Sequence, residues 1–446
     1  MSFFDLLPRE ILQFELLPRL DISAKIILRH VLLSTPFPKI LSIDTQREIC
    51  QYSISYLSLF SSLVRPDSIC HLSASHGNLS LLQWARENGC HWDERTCSDA
   101  ASSGHLHIIK WSRENGCPWN ERTFTNAVTA GDFDFIKWLK HHHCPWSDST
   151  FARASNIPNL VLLNWLLLNG CPWDKFTCSS AAMSGHLDSL KWARSEGCPW
   201  DKYTCTNAAI GGHLHILEWA RSNGCDWDSG TFNDAAYSGH LHIVKWLRSN
   251  GCPWSRLTTL SAVTGGHLNV LIWLRENGCP WDSSICTEAA STGNLPILQW
   301  SRSNGCPWDK ETSQVAALHG HLHILQWSHL HSCPWGVDTS SAAASSGFLH
   351  ILIWLHDNGC PWDEETCSFA ASAGHLHILK WAHKNKCPWD SSTSSSAIKN
   401  GRLNILQWAH ENNCPWDHDV LRLVSLNFIS YYPDLFKWLV SHNFYV

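Results

Sequence analysis

No apolar run in this chain of 446 residues reaches the roughly 18 residues that a membrane-crossing helix needs. The opening stretch from Met1 to Leu12 carries Asp5, Arg9 and Glu10 where a secretory leader would be apolar. A basic excess is missing too. Lys and Arg number 33 against 39 Asp and Glu, a net charge of −6, and the cations are spread thinly, so there is no electrostatic footprint for nucleic acid. The chain has no phosphate-binding glycine loop, no dinucleotide fingerprint and no Cys-x2-Cys spacing. The expectation is a soluble, intracellular, cytoplasmic protein with no membrane or nucleic-acid partner and no cofactor. Hydrophobic residues at 44% still suffice for a folded core.

What the chain does have is tryptophan, in strict register. One column runs Trp84, Trp111, Trp138 and onward to Trp408 in steps of 27 residues; a second runs Trp92, Trp119, Trp146 and onward to Trp416. The two columns hold 26 of the 27 tryptophans, and Trp438, three residues late for another step, is the other. A period kept without insertion from residue 69 to 419 means one small unit stacked thirteen times. Such a unit cannot cover its own apolar faces, so each copy depends on its neighbours and the indoles are expected to pack between copies.

Residues 93–120 show the unit. Asp93 is an N-cap candidate for a helix from Glu94 to Ser102, and its column holds only accepted capping residues: Asp, Asn120, Ser147, Ser255 and Gly336. Cys97, Ala100 and Ala101 then form a narrow stripe of small side chains, and Gly104 ends the helix. A second helix is predicted from Leu106 to about Asn115, with Leu106, Ile108, Ile109 and Trp111 toward the core; Gly116 and Pro118 stop it. Thirteen of the 20 cysteines share the Cys-Pro-Trp column and six share the Cys97 column. Members of one column stand about 8–10 Å apart in packed helices, beyond the roughly 7 Å a disulfide allows, so buried reduced thiols are expected.

The core Ala208-Ala209-Ile210-Gly211-Gly212-His213-Leu214-His215-Ile216-Leu217 resembles the ankyrin repeat, and the resemblance extends over residues 69–419. It implies an all-α, ankyrin-type α-solenoid of about 13 helix-pair repeats. The unit is six residues shorter than the family's 33, with Cys-Pro-Trp-Asp where a hairpin would project, so hairpins are expected to be reduced or absent. The family's Thr-Pro-Leu-His tetrapeptide is missing; Thr96 stands at its proline. Short repeats of this kind resemble those of ankyrin-rich proteins of large DNA viruses of protists, and such an origin would place the chain in host cytoplasm.

The ends read differently. Leu7-Pro8-Arg9-Glu10-Ile11-Leu12 resembles the opening of an F-box, without that family's aromatic close. The resemblance implies that Leu7, Pro8, Glu10, Ile11 and Leu12 dock on a Skp1-like adaptor of a ubiquitin ligase. The alternative for residues 1–38 is a pair of capping helices. Residues 39–68 read as a helical connector and residues 420–446 as a degenerate C-terminal cap.

Histidine, at 28 copies, raises the question of metal. His105 and His107 recur as His-x-His; two positions apart on a helix they would point about 200° apart and could not share an ion. No metal ligands are assigned. Every nucleophile or base candidate recurs with the repeat, so no catalytic residue is assigned and no enzyme activity is expected. Two residues after the first-column Trp stands a cation (Arg86, Arg113, Lys140, Arg194, Arg221, Arg248, Arg275, Arg302) that becomes His329, His356, His383 and His410; Leu167 interrupts the series. It is read either as a complement to the helix dipole or as a stripe for acidic partners that weakens near neutral pH in its last third. Around Leu167 and Leu168 the helix is apolar nearly all round. A local bend that buries them is the favoured reading, a partner contact the other.

Partner specificity should lie where repeats differ. Those positions are the outward residues of the first helices: Asn207, Ile210, Asp234, Tyr237, Glu288, Gln314, Leu318, Phe369 and Lys399. In the family this face is concave, and thirteen steps would extend it over roughly 100–130 Å. A monomeric scaffold that binds a protein along this strip is the function expected, with an F-box-type substrate receptor as the alternative.

Overall fold

The computed structural model describes residues 66–416 and 431–442. The segment with Leu7, Pro8, Glu10, Ile11 and Leu12, most of the connector and most of the C-terminal cap lie outside the described residues. Within them the chain is all-α. Twenty-six helices form thirteen pairs from Pro66–Ser75 and Leu79–Glu87 to Ser391–Lys399 and Leu403–Glu411, and Pro433–Ser441 is the twenty-seventh among the described residues. No strand occurs among the described residues, so no hairpin projects from these repeats. The chain divides between Thr204 and Cys205 into two units, Met1–Thr204 and Cys205–Val446, and the described residues of each carry the same helix-pair repeat.

The boundaries follow from local chemistry. Asp93 sits in extended backbone and its carboxylate accepts the Arg95 amide, which starts Glu94–Ser102. Gly104 takes φ +74° and Gly116 φ +83°, the left-handed region that an L side chain enters at a cost. Between them runs Leu106–Glu114. Its C-cap Asn115 donates its side-chain amide to the Trp111 carbonyl at 2.8 Å, a bond repeated by Asn223, Asn250, Asn304 and others.

The core is what the small-residue stripe allows. Cys97, Ala100, Ala101, Ile108 and Ile109 are fully buried, and equivalents repeat this in every pair. Each buried Ile or Leu contributes about 1.5–3 kcal/mol. First helices pack on the first helices of neighbouring repeats, because Ala and Cys let the backbones approach. The tryptophans form an outer layer and all are half-buried among the described residues. Loop and helix indoles meet edge to face across the repeat boundary: Trp92 and Trp111 at 5.8 Å, Trp227 and Trp246 at 5.6 Å, Trp308 and Trp327 at 5.8 Å. The late Trp438 stacks on Trp416 at 6.3 Å, so Pro433–Ser441 supplies the indole that the next second helix would have offered.

The Cys-Pro-Trp cysteine holds the loop to the start of its own repeat. Its Sγ donates to the N-cap carbonyl 24 residues earlier: Cys117 to Asp93 at 3.6 Å, Cys198 to Asp174 at 3.3 Å, Cys387 to Asp363 at 3.4 Å. Burial pushes the thiols of Cys144, Cys252 and Cys414 up to about 12, so they stay protonated donors at neutral pH.

Candidate interaction face

Capping, the buried threonine three residues after the cap and the Ala-Ala stripe use up the inner side of each first helix. What remains outward are the first two helical positions and those six and nine residues after the cap. Of the strip residues, Tyr237 is 53% exposed, Phe369 45% and Leu318 41%, and Lys399 is exposed as well. Asn207, Ile210, Asp234, Glu288 and Gln314 are half-buried. Neighbouring first helices bring these positions together. The Thr264 hydroxyl donates to Glu288 Oε1 at 3.0 Å, linking the ninth position of one repeat to the sixth of the next. By that register Ile210 adjoins Asp234. Partial burial, with Asp228 nearby, raises the Asp234 carboxyl above its ordinary range.

The expected strip omitted a column. The second residue after the cap carries Phe176 (55% exposed), Tyr203 (50%) and Leu257 (51%). Its members otherwise run Arg95, Arg122, Ser149, Gly230, Ser284, Glu311, Asp338, Glu365 and Ser392, a spread as wide as in the chosen columns. Variability alone would have found it. Inter-repeat ion pairs border this column: Lys175 to Asp201 at 2.9 Å, Arg256 to Asp282 at 2.8 Å and Lys310 to Asp338 at 2.7 Å. Their lysines and arginine are solvent-exposed, so water and salt screen these pairs and they add little to stability. In the Met1–Thr204 unit, a cavity of about 480 Å³ opens between Asp148–Ala154 and Lys175–Met183, lined by Arg153, Asn156, Phe176 and Ser180 among others.

The cation column lies elsewhere and is engaged within the repeat. Each guanidinium stacks on the indole of its own loop: Arg86 on Trp92 at 4.2 Å, Arg113 on Trp119 at 4.1 Å, Arg221 on Trp227 at 4.4 Å, Arg248 on Trp254 at 4.0 Å. Arg221 also donates to the Cys225 carbonyl at 2.7 Å, and Arg194 and Arg302 do the same to Cys198 and Cys306. In the last third imidazoles replace them, His329 on Trp335 at 4.1 Å and His356 on Trp362 at 4.3 Å. The column clamps the loop onto the second helix, which accounts for its periodicity without a partner.

The His-x-His pair corrects the helical-wheel argument. His105 is the N-cap, outside the helix proper, so it and His107 stand 5.9 Å apart, not on opposite sides. Both rings reach back to the preceding repeat's turn. His240 Nε2 donates to the Ile210 carbonyl at 3.0 Å and His242 Nε2 to the Gly212 carbonyl at 3.3 Å; His321 and His323 do the same to Ser291 and Gly293 at 3.0 and 3.1 Å. Among the described residues no group of three or more His, Cys, Asp or Glu could hold a metal ion. The His141-His142-His143 run is used locally, His142 stacking on Trp138 at 4.1 Å and donating to its carbonyl at 2.8 Å.

The bend expected at Leu160–Leu168 does not bury that helix. Leu167 packs half-buried against the core, but Leu168 is 77% and Val161 70% exposed. Ordinary helix geometry continues here, and the seventh-residue spacing puts both on the outer side. No helix among the described residues is long and apolar enough to cross a membrane.

No family model matches the chain, and no curated protein matches it. Among solved structures it is similar to the pentatricopeptide repeat protein PPR10 in complex with an 18-nucleotide psaJ RNA element, at 14% identity over 82% of this chain and 67% of that one, TM-score 0.36. It is also similar to the human ASB11 ankyrin repeat domain, at 17% identity over 35% of this chain and 84% of that one, TM-score 0.31. At these scores the assignment to helical-repeat proteins rests on the thirteen helix pairs themselves.

Proposed function

We propose that the chain is a non-enzymatic, ankyrin-type scaffold that binds a protein partner on the outward face of its first helices, with Tyr237, Leu318 and Phe369 as anchors. The observation that carries this is the exposure of those three large apolar side chains at positions where other repeats place Ser. Ser180, Ser261 and Ser396 occupy the Phe369 column, and Ser291, Ser345 and Ser372 the Tyr237 and Leu318 column. Nothing in the repeat's own packing calls for an aromatic or Leu there, whereas interfaces concentrate energy in such side chains. Asn207, Ile210, Asp234, Glu288, Gln314 and Lys399 complete the proposed contact set as its polar and half-buried surround.

The test is the triple variant Tyr237→Ser, Leu318→Ser, Phe369→Ser in the full chain. Serine at these columns already folds in sister repeats, so circular dichroism should be unchanged. Loss of three anchors at about 1–2 kcal/mol each predicts a drop in partner affinity of more than 100-fold. An identical set of retained proteins for both chains, at equal amounts, refutes the assignment. Recruitment of a Skp1-like adaptor is a separate part of the proposal, resting on Leu7-Pro8 and Glu10-Ile11-Leu12 alone. Fusing residues 1–38 to an inert carrier tests it without the repeats.

A further inference from the structure

The two cysteine columns, each free of disulfide contact within itself, meet one another. A residue at the fourth helical position of a first helix lies against the Cys-Pro-Trp cysteine 20 residues later in the same repeat. Where that residue carries a hydroxyl the contact is direct: Thr259 Oγ1 to Cys279 Sγ at 3.2 Å, Ser313 Oγ to Cys333 Sγ at 3.4 Å, Ser340 Oγ to Cys360 Sγ at 3.5 Å. Where it is cysteine, two thiols occupy the same place. Cys97 with Cys117, Cys178 with Cys198, Cys205 with Cys225, Cys286 with Cys306 and Cys367 with Cys387 are hydrogen-bonded through their side chains. Cys70 and Cys90 follow the same register, Cys70 Sγ reaching the Cys90 carbonyl at 3.9 Å.

We propose that these six pairs are oxidation sites, each converted by a peroxide to a disulfide that joins the first helix of a repeat to its own loop. A disulfide holds its sulfurs at about 2.05 Å, and a side chain in this register already stands against the loop sulfur, as Thr259, Ser313 and Ser340 do. Within a pair the roles differ. In Cys178–Cys198 and Cys286–Cys306 the loop thiol receives the partner's S–H, with Arg194 or Arg302 beside it, and both influences lower its pKa against the opposing effect of burial. In these two pairs the loop cysteine is the attacking sulfur.

Its thiolate attacks one peroxide oxygen; an S–O bond forms, the O–O bond breaks, and the departing hydroxide leaves as water after taking a proton. The first-helix sulfur then attacks the resulting sulfenic acid. An S–S bond forms, the S–O bond breaks, and a second water leaves with that cysteine's proton. Two thiols and one hydrogen peroxide become one disulfide and two waters. All twelve sulfurs are buried, Cys90 the most exposed at 7%, so oxidation proceeds through local opening of a repeat and runs slower than with a free thiol.

The experiment treats the folded full chain with hydrogen peroxide, blocks remaining thiols with iodoacetamide, and maps cross-linked peptides by mass spectrometry. The expected result is links only at a separation of 20 residues, in the six paired repeats. Cys144, Cys171, Cys252, Cys279, Cys333, Cys360 and Cys414, which face Phe, Thr or Ser instead, should form none. The Cys178→Ser variant copies the sister residues Ser313, Ser340 and Ser394; it should abolish the link at Cys198 and leave the other five. The proposal is overturned by links in mixed registers, by a new partner for Cys198 in that variant, or by no link at a peroxide dose that fully oxidises glutathione.

Discussion

The contact between the Gly-His turns of successive repeats makes a quantitative demand on Gly212. Its φ of +81° lies in the left-handed region, and a Cβ added there would stand 2.8 Å from His240 Cε1 and 3.0 Å from Nε2. Gly212→Ala therefore carries two costs. The backbone conformation costs about 1–2 kcal/mol for an L side chain. Displacing the imidazole also breaks its 3.0 Å bond to the Ile210 carbonyl, and leaving a half-buried carbonyl unpaired adds about 1–3 kcal/mol. Gly224 isolates the first cost: its φ is +83°, and a Cβ there meets nothing within 4 Å. Urea unfolding followed by tryptophan fluorescence should place Gly212→Ala below Gly224→Ala by about 1–3 kcal/mol. Adding His240→Ala to both should remove the difference, because the double-mutant cycle then contains no ring to displace. Equal stability of the two glycine variants in the wild-type background would refute the inter-repeat role of the histidine.

Among the described residues four hold positive φ without being glycine, and at two of them, His143 (φ 60°) and Lys386 (φ 67°), replacement by Gly as in sister repeats should raise stability by about 1 kcal/mol each, read as a higher Tm. Arg221→Ala removes both the stack on Trp227 and the bond to the Cys225 carbonyl, costing about 1–2 kcal/mol, whereas Arg221→His keeps a stack of the kind His329 makes and should cost less. Burial foremost, and the neighbouring His107 or His323, lower the pKa of His105 and His321 below the ordinary 6.5. The unfolded chain then binds more protons, so their contribution is present above pH 6.5 and lost as pH falls below it. Stability measured at pH 7.5 and pH 5.5 should be lower at pH 5.5, and less so after His105→Asn and His321→Asn, which keep a donor without the charge.

Most of the repeat was legible because its signals are local. Asp93, Gly104 and Gly116 each act on backbone within three residues, and the observed helices Glu94–Ser102 and Leu106–Glu114 agree with the expected ones to within a residue. Legibility failed where a residue acts on something 20 to 30 positions away. A helical wheel puts both rings of His-x-His on one helix and carries only their relative direction. Their partners are carbonyls 30 residues upstream in another repeat, and the first ring is a cap. Each cysteine column repeats at 27 residues, whereas the contact between the columns spans 20 and is set by how the loop folds back on its own first helix. The cation column acts on the indole six residues ahead in its own loop, and that indole's periodicity fits core packing equally well. The tryptophans show why: a half-buried ring has two faces, one for the next repeat's indole and one for its own repeat's guanidinium. A 27-residue period reports that a side chain is needed in every copy. It does not say which of two neighbours needs it, and that distinction separates packing from a binding face in this chain. Tyr237, Leu318 and Phe369 stand apart on that criterion, because several repeats place Ser in the same columns and fold without the ring or the Leu.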